Sequence, residues 1–568
     1  MVPKQRWWET WPDIRQRELR SLDIDGIAYS INQASLDQGI FRVDIDYPLD
    51  DKLIPLQVVF PASYPFFRPQ VFAEPGTFPR HQNPIAGNLC LLGRSTDFWE
   101  VDMTVGQLLR EQFPKLVQAA TTTDPKVRAQ LEEHQGEPVT TYYTYEDGSA
   151  IFIEHDGRID PTYSSGVLEI SVDPSYLPLV HGALVELRAS AGKKLFSLQK
   201  QYSRKSKRIN GNWLRLKEAP PFNDARAVEK WLIDKRLIGW PKNLVNVNNW
   251  WFDIVGLLIE EQIDYNDVAD GWMFLVRRKG PNSGGWATSL VRASRWGKDV
   301  FQCRIPNLSF LATKKVAIVG LGAIGAPCAL ELARAGVKQL SVIDSDFVEL
   351  GTIVRWPFGV PVSGQRKGSV LKQFIEHHYP WTAVLPESVH IGTAMRLGEG
   401  ENELTVLERA FNGVDMILDT TAEPGIHYFL SEYARSVKLP FVCASGTGGA
   451  AGGLVVSFDP RRHVGCWVCL RKAIYEQRII SEPPFEDDGL HQPPGCAERT
   501  FTGASFDLCE VSLQATRTVI ASLSDKGPST FQDWDVAVLS MRSDAGGRIP
   551  PRWETYSLAP ISGCACAK

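Results

Sequence analysis

The 568-residue sequence predicts a multidomain chain: an α+β domain first, a mixed α/β linker region in the centre, and a doubly wound α/β domain last. Three observations predict it. The length suits three or four domains, each with its own core. The first 75 residues alternate apolar and polar positions in strand-like runs behind a helix. From about residue 306 the texture changes to strand, glycine turn, helix and strand.

Residues 1–135 open with MVPKQRWWETWPDIRQRELRSL, which reads as one amphipathic helix. The strands GIFRVDIDYPL and LIPLQVVF follow, then the proline-rich turn YPFFRP, the short strand QVFAEP, a loop with Cys90, and the helix TVGQLLREQFPKLVQAA. Residues 136–305 carry no chemical constellation. YEDGSAIFIEHDG reads as a hairpin, VLEISVDP and GALVELRAS as strands, and AVEKWLIDKRL and NNWWFDIVGLLIEEQ as helices. The basic run KQYSRKSKRING reads as a solvated loop, with a partner contact as the alternative. Residues 306–568 begin with the buried strand KKVAIVG, the turn GLGAIG, the helix APCALELARAG and the strand KQLSVID, and alternate onward through VDMILDTT and LPFVCASG.

Apolar residues make up 43% and charged residues 22%, as in soluble globular chains. The 61 basic against 66 acidic residues leave a net charge of −5, which argues against a general nucleic-acid or membrane-surface binder. The most apolar stretch, Val316 to Val337, holds glycines and Glu331 and so reads as strand–turn–helix rather than a membrane span. No secretory pattern opens the chain, and several of the ten cysteines lie in close pairs. Such pairs point to metal or thiol chemistry in a reducing cytoplasm before they point to disulfides.

Gly320, Gly322 and Gly325 form G-x-G-x-x-G between a strand and a helix. Such a turn brings backbone N–H groups close to phosphate oxygens at a helix N-terminus. Asp344 ends the next strand, where a carboxylate can accept ribose hydroxyls. A nicotinamide-dependent oxidoreductase would use the same turn. Asp346, Arg355 and Lys367 follow, however, and two cations beside a phosphate turn suit a triphosphate better, because they can balance a departing pyrophosphate.

These residues resemble the adenylating domain of ubiquitin-activating enzymes and their bacterial relatives in molybdopterin and thiamin synthesis, the ThiF and MoeB type. The family pattern D-x-D-x-V-x-x-x-N-x-x-R-Q, then G-x-x-K-A, is matched by Asp344, Asp346, Val348, Arg355, Gly364 and Lys367, with Thr352 and Trp356 in place of asparagine and glutamine. The resemblance implies a Rossmann-like fold, ATP and Mg2+, and a homodimer. It also implies attack by a protein's C-terminal carboxylate on ATP. In the family's D-C-T-D-N element an aspartate coordinates magnesium; here Ala422 holds that place, and Asp419 or Glu423 is the expected substitute. A degenerate, non-catalytic scaffold is the reading these departures leave open.

Cys496 follows the polar, proline-rich stretch SEPPFEDDGLHQPPG, a composition that suits a mobile surface segment. The segment resembles the catalytic-cysteine loop of bacterial activating-enzyme homologues, which implies that Cys496 takes the acyl group from the adenylate as a thioester. Cys466 and Cys469 form CWVC, and Cys564 and Cys566 form CAC. Two such pairs can make a tetrahedral zinc site of four cysteines, with unliganded thiols as the alternative. Cys303, Cys328, Cys443 and Cys509 lie in apolar contexts and are expected in the core.

Residues 81–93 read HQNPIAGNLCLLG, placing Cys90 after a Gly-Asn pair in a loop rich in turn formers. A buried structural cysteine needs no such setting, whereas a thiol reached by another molecule does. Tyr64, Pro65, Pro69, His81, Asn83, Cys90 and Trp99 resemble the ubiquitin-conjugating enzymes in order and spacing, with Gln82 where proline is usual. That resemblance implies that Cys90 accepts the acyl group from Cys496, and that Asn83 supports the oxyanion when an amine attacks, or holds the loop. A conjugating-like domain ahead of an activating-like one resembles the bacterial fusions of CBASS antiphage operons. These imply a cGAS-like nucleotidyltransferase or a ubiquitin-like protein as donor, and target proteins with lysines as acceptors.

Overall fold

The computed structural model describes residues 6–49, 52–91, 99–131, 136–154, 158–198, 206–240, 245–265, 267–392, 402–462, 464–492, 499–524 and 532–567. The chain forms two compact units, Met1–Gly297 and Lys298–Lys568.

The first unit begins with α1 (Trp7–Thr10) and α2 (Pro12–Ile24), so the single opening helix expected from sequence is two. Pro12 disfavours a helical Trp11 and instead starts the second helix at its first position. Next come β1 (Ala28–Ile31), α3 (Gln33–Asp37), β2 (Phe41–Leu49), β3 (Lys52–Phe60) and β4 (Gln70–Phe72), an antiparallel four-stranded meander. Phe41, Val43 and Ile45 of β2 alternate inward to meet Leu56, Val58 and Phe60 of β3. Helix α4 (Val105–Thr121), capped by Thr104, lays Leu108, Leu109, Phe113 and Leu116 on that face; α5 (Pro125–Leu131) follows. Glu18 on α2 is fully buried and accepts the Val105 N–H at 2.8 Å, which fixes where α4 begins. Burial raises its pKa, while the bond from Val105 and the charge and bond of Arg17 hold the rise in check.

The centre is a β-barrel, which corrects the expected mixed α/β linker region. Its strands are β5 (Ala150–Glu154), β6 (Ser165–Val172), β7 (His181–Ala189), β8 (Lys194–Ser197) and β9 (Lys207–Leu216). After helix α6 (Ala225–Asp234) come β10 (Val245–Val247), β11 (Trp250–Asp264), β12 (Asp267–Lys279) and β13 (Ala287–Trp296). The order β11-β12-β13-β5-β7-β6-β9 closes because β9 pairs in parallel with β11. NNWWFDIVGLLIEEQ, expected as a helix, is mostly the long strand β11. Phe252, Ile254 and Leu258 fill the barrel, while Val255, Leu257 and Ile259 lie in a second core with Val228 and Leu232 of α6. With both faces buried, the alternation that marks a strand disappears. Among its described residues, YEDGSAIFIEHDG contributes β5, which pairs with β13 and β7 rather than with a hairpin partner; residues 155–157 lie outside them. Of the basic run, residues 200–205 lie outside the described residues, and Lys207 onward belongs to β9.

The second unit runs α7 (Lys298–Gln302), β14 (Lys315–Val319), α8 (Gly325–Arg334), β15 (Gln339–Ile343), α9 (Lys367–His378), β16 (Ala383–Glu387), α10 (Glu403–Phe411), β17 (Met416–Asp419), α11 (Pro424–Ser436), β18 (Phe441–Gly446) and β19 (Gly452–Phe458). It continues with α12 (Trp467–Arg471), β20 (Leu490–His491), β21 (Thr500–Phe501), α13 (Ser505–Leu523), β22 (Val536–Arg542) and β23 (Arg548–Tyr556). The sheet order is β16-β15-β14-β17-β18-β19-β22-β23. The first five strands are parallel and the last three join antiparallel. Val316 and Ile318 of β14 face a core with residues of α8, α9 and α13; Ala317 and Val319 face one with residues of α10, α11 and α12. The chain leaves β14 for β15 on one side and later returns to β17 on the other. That reversal opens the crevice at the strand ends where such sheets bind ligands. Cys328 and Cys443 are buried as expected, and burial pushes the Cys328 thiol up to about 12. Cys509 is half-buried, and Cys303 is exposed, a correction. Its neighbours Val300 and Phe301 are exposed too, so apolar context there does not mark a core. Among the described residues, no helix is long and apolar enough to cross a membrane.

Candidate active sites

In the first unit, Cys90 ends a tightly braced loop. Leu89 N–H donates to Val71 O at 2.7 Å and Cys90 N–H to His81 O at 2.8 Å, so both ends of the loop are anchored. Gly87 has φ +79°, and a Cβ there would meet Ala73 O at 2.2 Å, so only glycine allows this approach. Gln82, in the usual proline's place, is buried and ties the loop: its Oε1 accepts from Phe78 N–H at 2.9 Å and its Nε2 donates to Glu74 O at 2.8 Å. Asn83 Oδ1 accepts from Ile85 and Ala86 N–H, both at 2.9 Å, an Asx turn that uses its carbonyl. The turn makes no use of the side-chain amide N–H groups, which leaves them to donate elsewhere. The Cys90 side chain is half-buried. Trp99 Nε1 donates to Pro65 O at 2.7 Å and seats the turn after β3.

In the second unit, Gly320 (φ +83°), Gly322 and Gly325 turn from β14 into α8. A Cβ at Gly325 would meet Gly320 O at 2.0 Å and Thr420 Oγ1 at 2.3 Å, whereas one at Gly322 would meet nothing within 4 Å. The turn is therefore packed on one side and open on the other, which fits a phosphate-bearing ligand. Asp344 accepts from Leu321 N–H at 2.6 Å and from Asp346 N–H at 2.7 Å. Trp356, in the family glutamine's place, is buried and donates from Nε1 to Leu321 O at 2.8 Å. Lys367 Nζ lies 2.8 Å from Asp346 Oδ2 and 3.9 Å from Asp344 Oδ2. The structure thus gathers Gly320, Gly322, Gly325, Asp344, Asp346 and Lys367 at one strand end.

Arg355 faces the ribbon formed by β20 and β21. It donates to Phe501 O at 2.5 Å and Thr500 Oγ1 at 2.6 Å, and its guanidinium lies 4.5 Å from the Phe501 ring. Burial lowers its pKa. Cys496, between these two strands in sequence, lies outside the described residues.

Asp419, at the end of β17, is fully buried. One oxygen meets His427 Nδ1 at 2.7 Å and the other accepts from Thr421 N–H at 3.0 Å and Thr421 Oγ1 at 2.7 Å. Committed to protein donors in this way, Asp419 does not fit an open magnesium ligand. Glu423 is exposed at the N-cap of α11. His427 had no sequence signal: it stands eight residues from Asp419 on the buried face of a helix.

The sulfurs of Cys466, Cys469, Cys564 and Cys566 all lie within 4.8 Å of one another, with spacings of 3.9, 3.5 and 3.4 Å among them. A zinc tetrahedron with bonds of about 2.3 Å has sulfur–sulfur edges of about 3.8 Å, so the four residues fit that ion. The Ile561 N–H donates to Cys469 Sγ at 3.3 Å, as thiolate ligands commonly require.

The chain matches the ThiF family over residues 298–532 and prokaryotic E2 family B over residues 27–152. It is 33% identical to protein y4oA of Sinorhizobium fredii, over 99% of this chain and 98% of that one. It is 29% identical to the adenylyltransferase and sulfurtransferase uba4 of Aspergillus terreus, over 31% of this chain and 36% of that one. A crystal structure of E. coli MccB with ATP aligns with a TM-score of 0.34 at 17% identity, covering 46% of this chain and 68% of that one. The chain belongs to the family of y4oA, with a prokaryotic E2 domain ahead of a ThiF domain on one polypeptide.

Proposed function

We propose that this protein is an ATP-dependent conjugating enzyme that activates the C-terminal carboxylate of a partner protein and delivers it to an amine. The observation that carries the reading is the pairing, on one chain, of an open phosphate turn in a ThiF unit with a partly accessible cysteine on a braced loop in an E2 unit. The carboxylate oxygen attacks the α-phosphorus of ATP; pyrophosphate leaves and an acyl-adenylate remains. The N–H groups of the Gly320–Gly325 turn and the N-terminus of α8 face the phosphates, and Asp344 accepts from the ribose. Lys367 and Arg355 offset the charge of the departing pyrophosphate. The Cys496 thiolate then displaces AMP, the Cys90 thiolate displaces Cys496, and a target amine displaces Cys90, losing a proton to form an amide.

A cGAS-like nucleotidyltransferase or a ubiquitin-like protein as donor, target proteins with lysines as acceptors, an antiphage role, a cytoplasmic location and a homodimer complete the proposal. The test is incubation with ATP and such a donor. Pyrophosphate exchange and an adduct released by thiols at Cys90 are expected; binding of NAD without exchange would instead favour an oxidoreductase.

Asn83 separates two duties. Asn83→Asp keeps the oxygen that Ile85 and Ala86 bond but loses the donor. Single-turnover discharge of the Cys90 thioester to free lysine should slow by ~10²–10³, the usual loss for one oxyanion donor, with loading unchanged. Loading and discharge both at wild-type rates would confine Asn83 to the turn.

The four-cysteine cluster predicts one zinc per chain by elemental mass spectrometry. Cys466→Ser should remove it and lower the melting temperature of the second unit by roughly 5–15 °C.

A further inference from the structure

We propose that Glu137, supported by Gln262, is a positioning residue for Cys90, so that the segment beyond residue 135 completes the thiol site instead of merely spacing it. The proposal rests on the conjugating role given to Cys90 above. It begins with His81, whose φ is +59°. Holding a residue with a side chain in that left-handed region costs about 1–3 kcal/mol, so it stays there only where its surroundings compel it. Contacts from Glu137 help to hold it there. His81 N–H donates to Glu137 Oε1 at 3.0 Å and Oε2 at 3.2 Å, and its Nδ1 lies 3.2 Å from Oε1. Glu137 is itself held by its N–H, which donates to Gln262 Oε1 of β11 at 3.3 Å. The same Gln262 oxygen accepts from Arg80 Nη1 at 3.1 Å.

The chain must come very near β11 to do this. At Gly136 a Cβ would meet Asp264 N at 2.8 Å, so a bare backbone is needed there. Ile85, on the far side of the same loop, packs against the core of Val228, Leu232 and Val255. The loop is thus gripped twice by the centre of the chain, once through polar groups and once through an apolar side chain.

The grip reaches the nucleophile through the backbone. The His81 carbonyl is the acceptor of the Cys90 N–H at 2.8 Å. If Glu137 lets go, His81 relaxes toward negative φ, its carbonyl turns, and the backbone that aims the Cys90 sulfur loses this anchor. The Glu137 carboxyl is suited to the task. Burial alone would raise its pKa, but the bond and charge of His81 and the charge of Arg80 hold it below the ordinary carboxylate range, ready to accept.

The test uses the full chain and needs neither ATP nor an acyl donor. Amide hydrogen exchange is read on peptides spanning residues 80–91, and Cys90 alkylation by iodoacetamide is timed by mass spectrometry. Glu137→Ala should speed exchange at His81 and Cys90 by tenfold or more and change the alkylation rate by at least threefold, with exchange in β2 and β3 unaltered. Glu137→Gln should restore both, since its carbonyl, in the place of Oε1, accepts from the His81 N–H and from the Nδ1–H tautomer of the imidazole. Should the alanine variant not fold, Gln262→Ala carries the same test, with a fivefold rise in exchange expected. Rates within twofold of wild type, an equal rise throughout β2 and β3, or no rescue by glutamine would each overturn the proposal. A chain that passes this test yet forms no thioester would refute the conjugating role and leave the positioning intact.

Discussion

Cys90→Ala is expected to abolish transfer to an amine, by ~10³ or more, while ATP–pyrophosphate exchange stays within twofold of wild type. The reason is the separation of the two chemistries. The phosphate turn belongs to Lys298–Lys568, and Cys90 belongs to Met1–Gly297, so the alanine removes a nucleophile without touching the adenylating machinery. Cys90→Ser should retain the acyl group as an oxyester, which thiols do not cleave and which discharges more slowly. Cys496→Ala should also keep exchange but leave Cys90 unloaded, because an adenylate has then no first sulfur to attack. The measurement is a gel of ATP-treated protein with and without reductant, beside exchange of labelled pyrophosphate. Conjugation that survives both alanine substitutions would end the relay as an explanation.

Gly325→Ala should be strongly damaging to the second unit. Its Cβ would sit 2.0 Å from Gly320 O and 2.3 Å from Thr420 Oγ1, and the first of these is backbone that cannot swing aside. Overpacking of this kind costs about 1–3 kcal/mol, which for a unit of this size lowers melting by roughly 2–12 °C. The larger effect falls on the ligand. Pushing Gly320 away from α8 withdraws N–H groups that the proposed role gives to a charged phosphate, each bond worth about 1.5–3 kcal/mol. Two lost bonds weaken ATP by roughly 10²–10⁴-fold. Gly322→Ala, where a Cβ meets nothing within 4 Å of the protein, should leave melting unchanged and tell crowding by the fold from crowding by the nucleotide. Calorimetric titration with ATP and thermal melts decide it; a Gly325→Ala protein that binds ATP within threefold of wild type would show the turn to be no phosphate site.

The glycine turn and the carboxylate that meets it were legible because their logic is local. β14, the glycines and α8 are consecutive, and Asp344 needs only one strand's length to return to Leu321. Much of the Cys90 loop is local in the same way, since Gln82, Gly87 and Leu89 bond to the chain between Val71 and Phe78. The barrel was not legible because β11 hides its period: Ile254 and Val255 are both buried, on opposite faces, so no alternation survives. The contacts that join distant segments were equally hidden. Glu137 meets His81 across 56 positions, and Arg355 meets Thr500 across 145. The four cysteines showed as two pairs in sequence, but only the folded sheet brings CAC beside CWVC.

Trp356, Asp344 and Thr420 clasp the glycine turn from separate elements: an indole donates to Leu321 O, a carboxylate accepts from Leu321 N–H, and a hydroxyl donates to Gly320 O at 2.6 Å. A binding loop fastened in this manner before any nucleotide arrives has already surrendered its conformational entropy during folding. In the proposed ATP-binding role, capture would lose little of its free energy to ordering protein, and release of AMP would follow the strength of the contacts themselves rather than a slow rearrangement of the cradle.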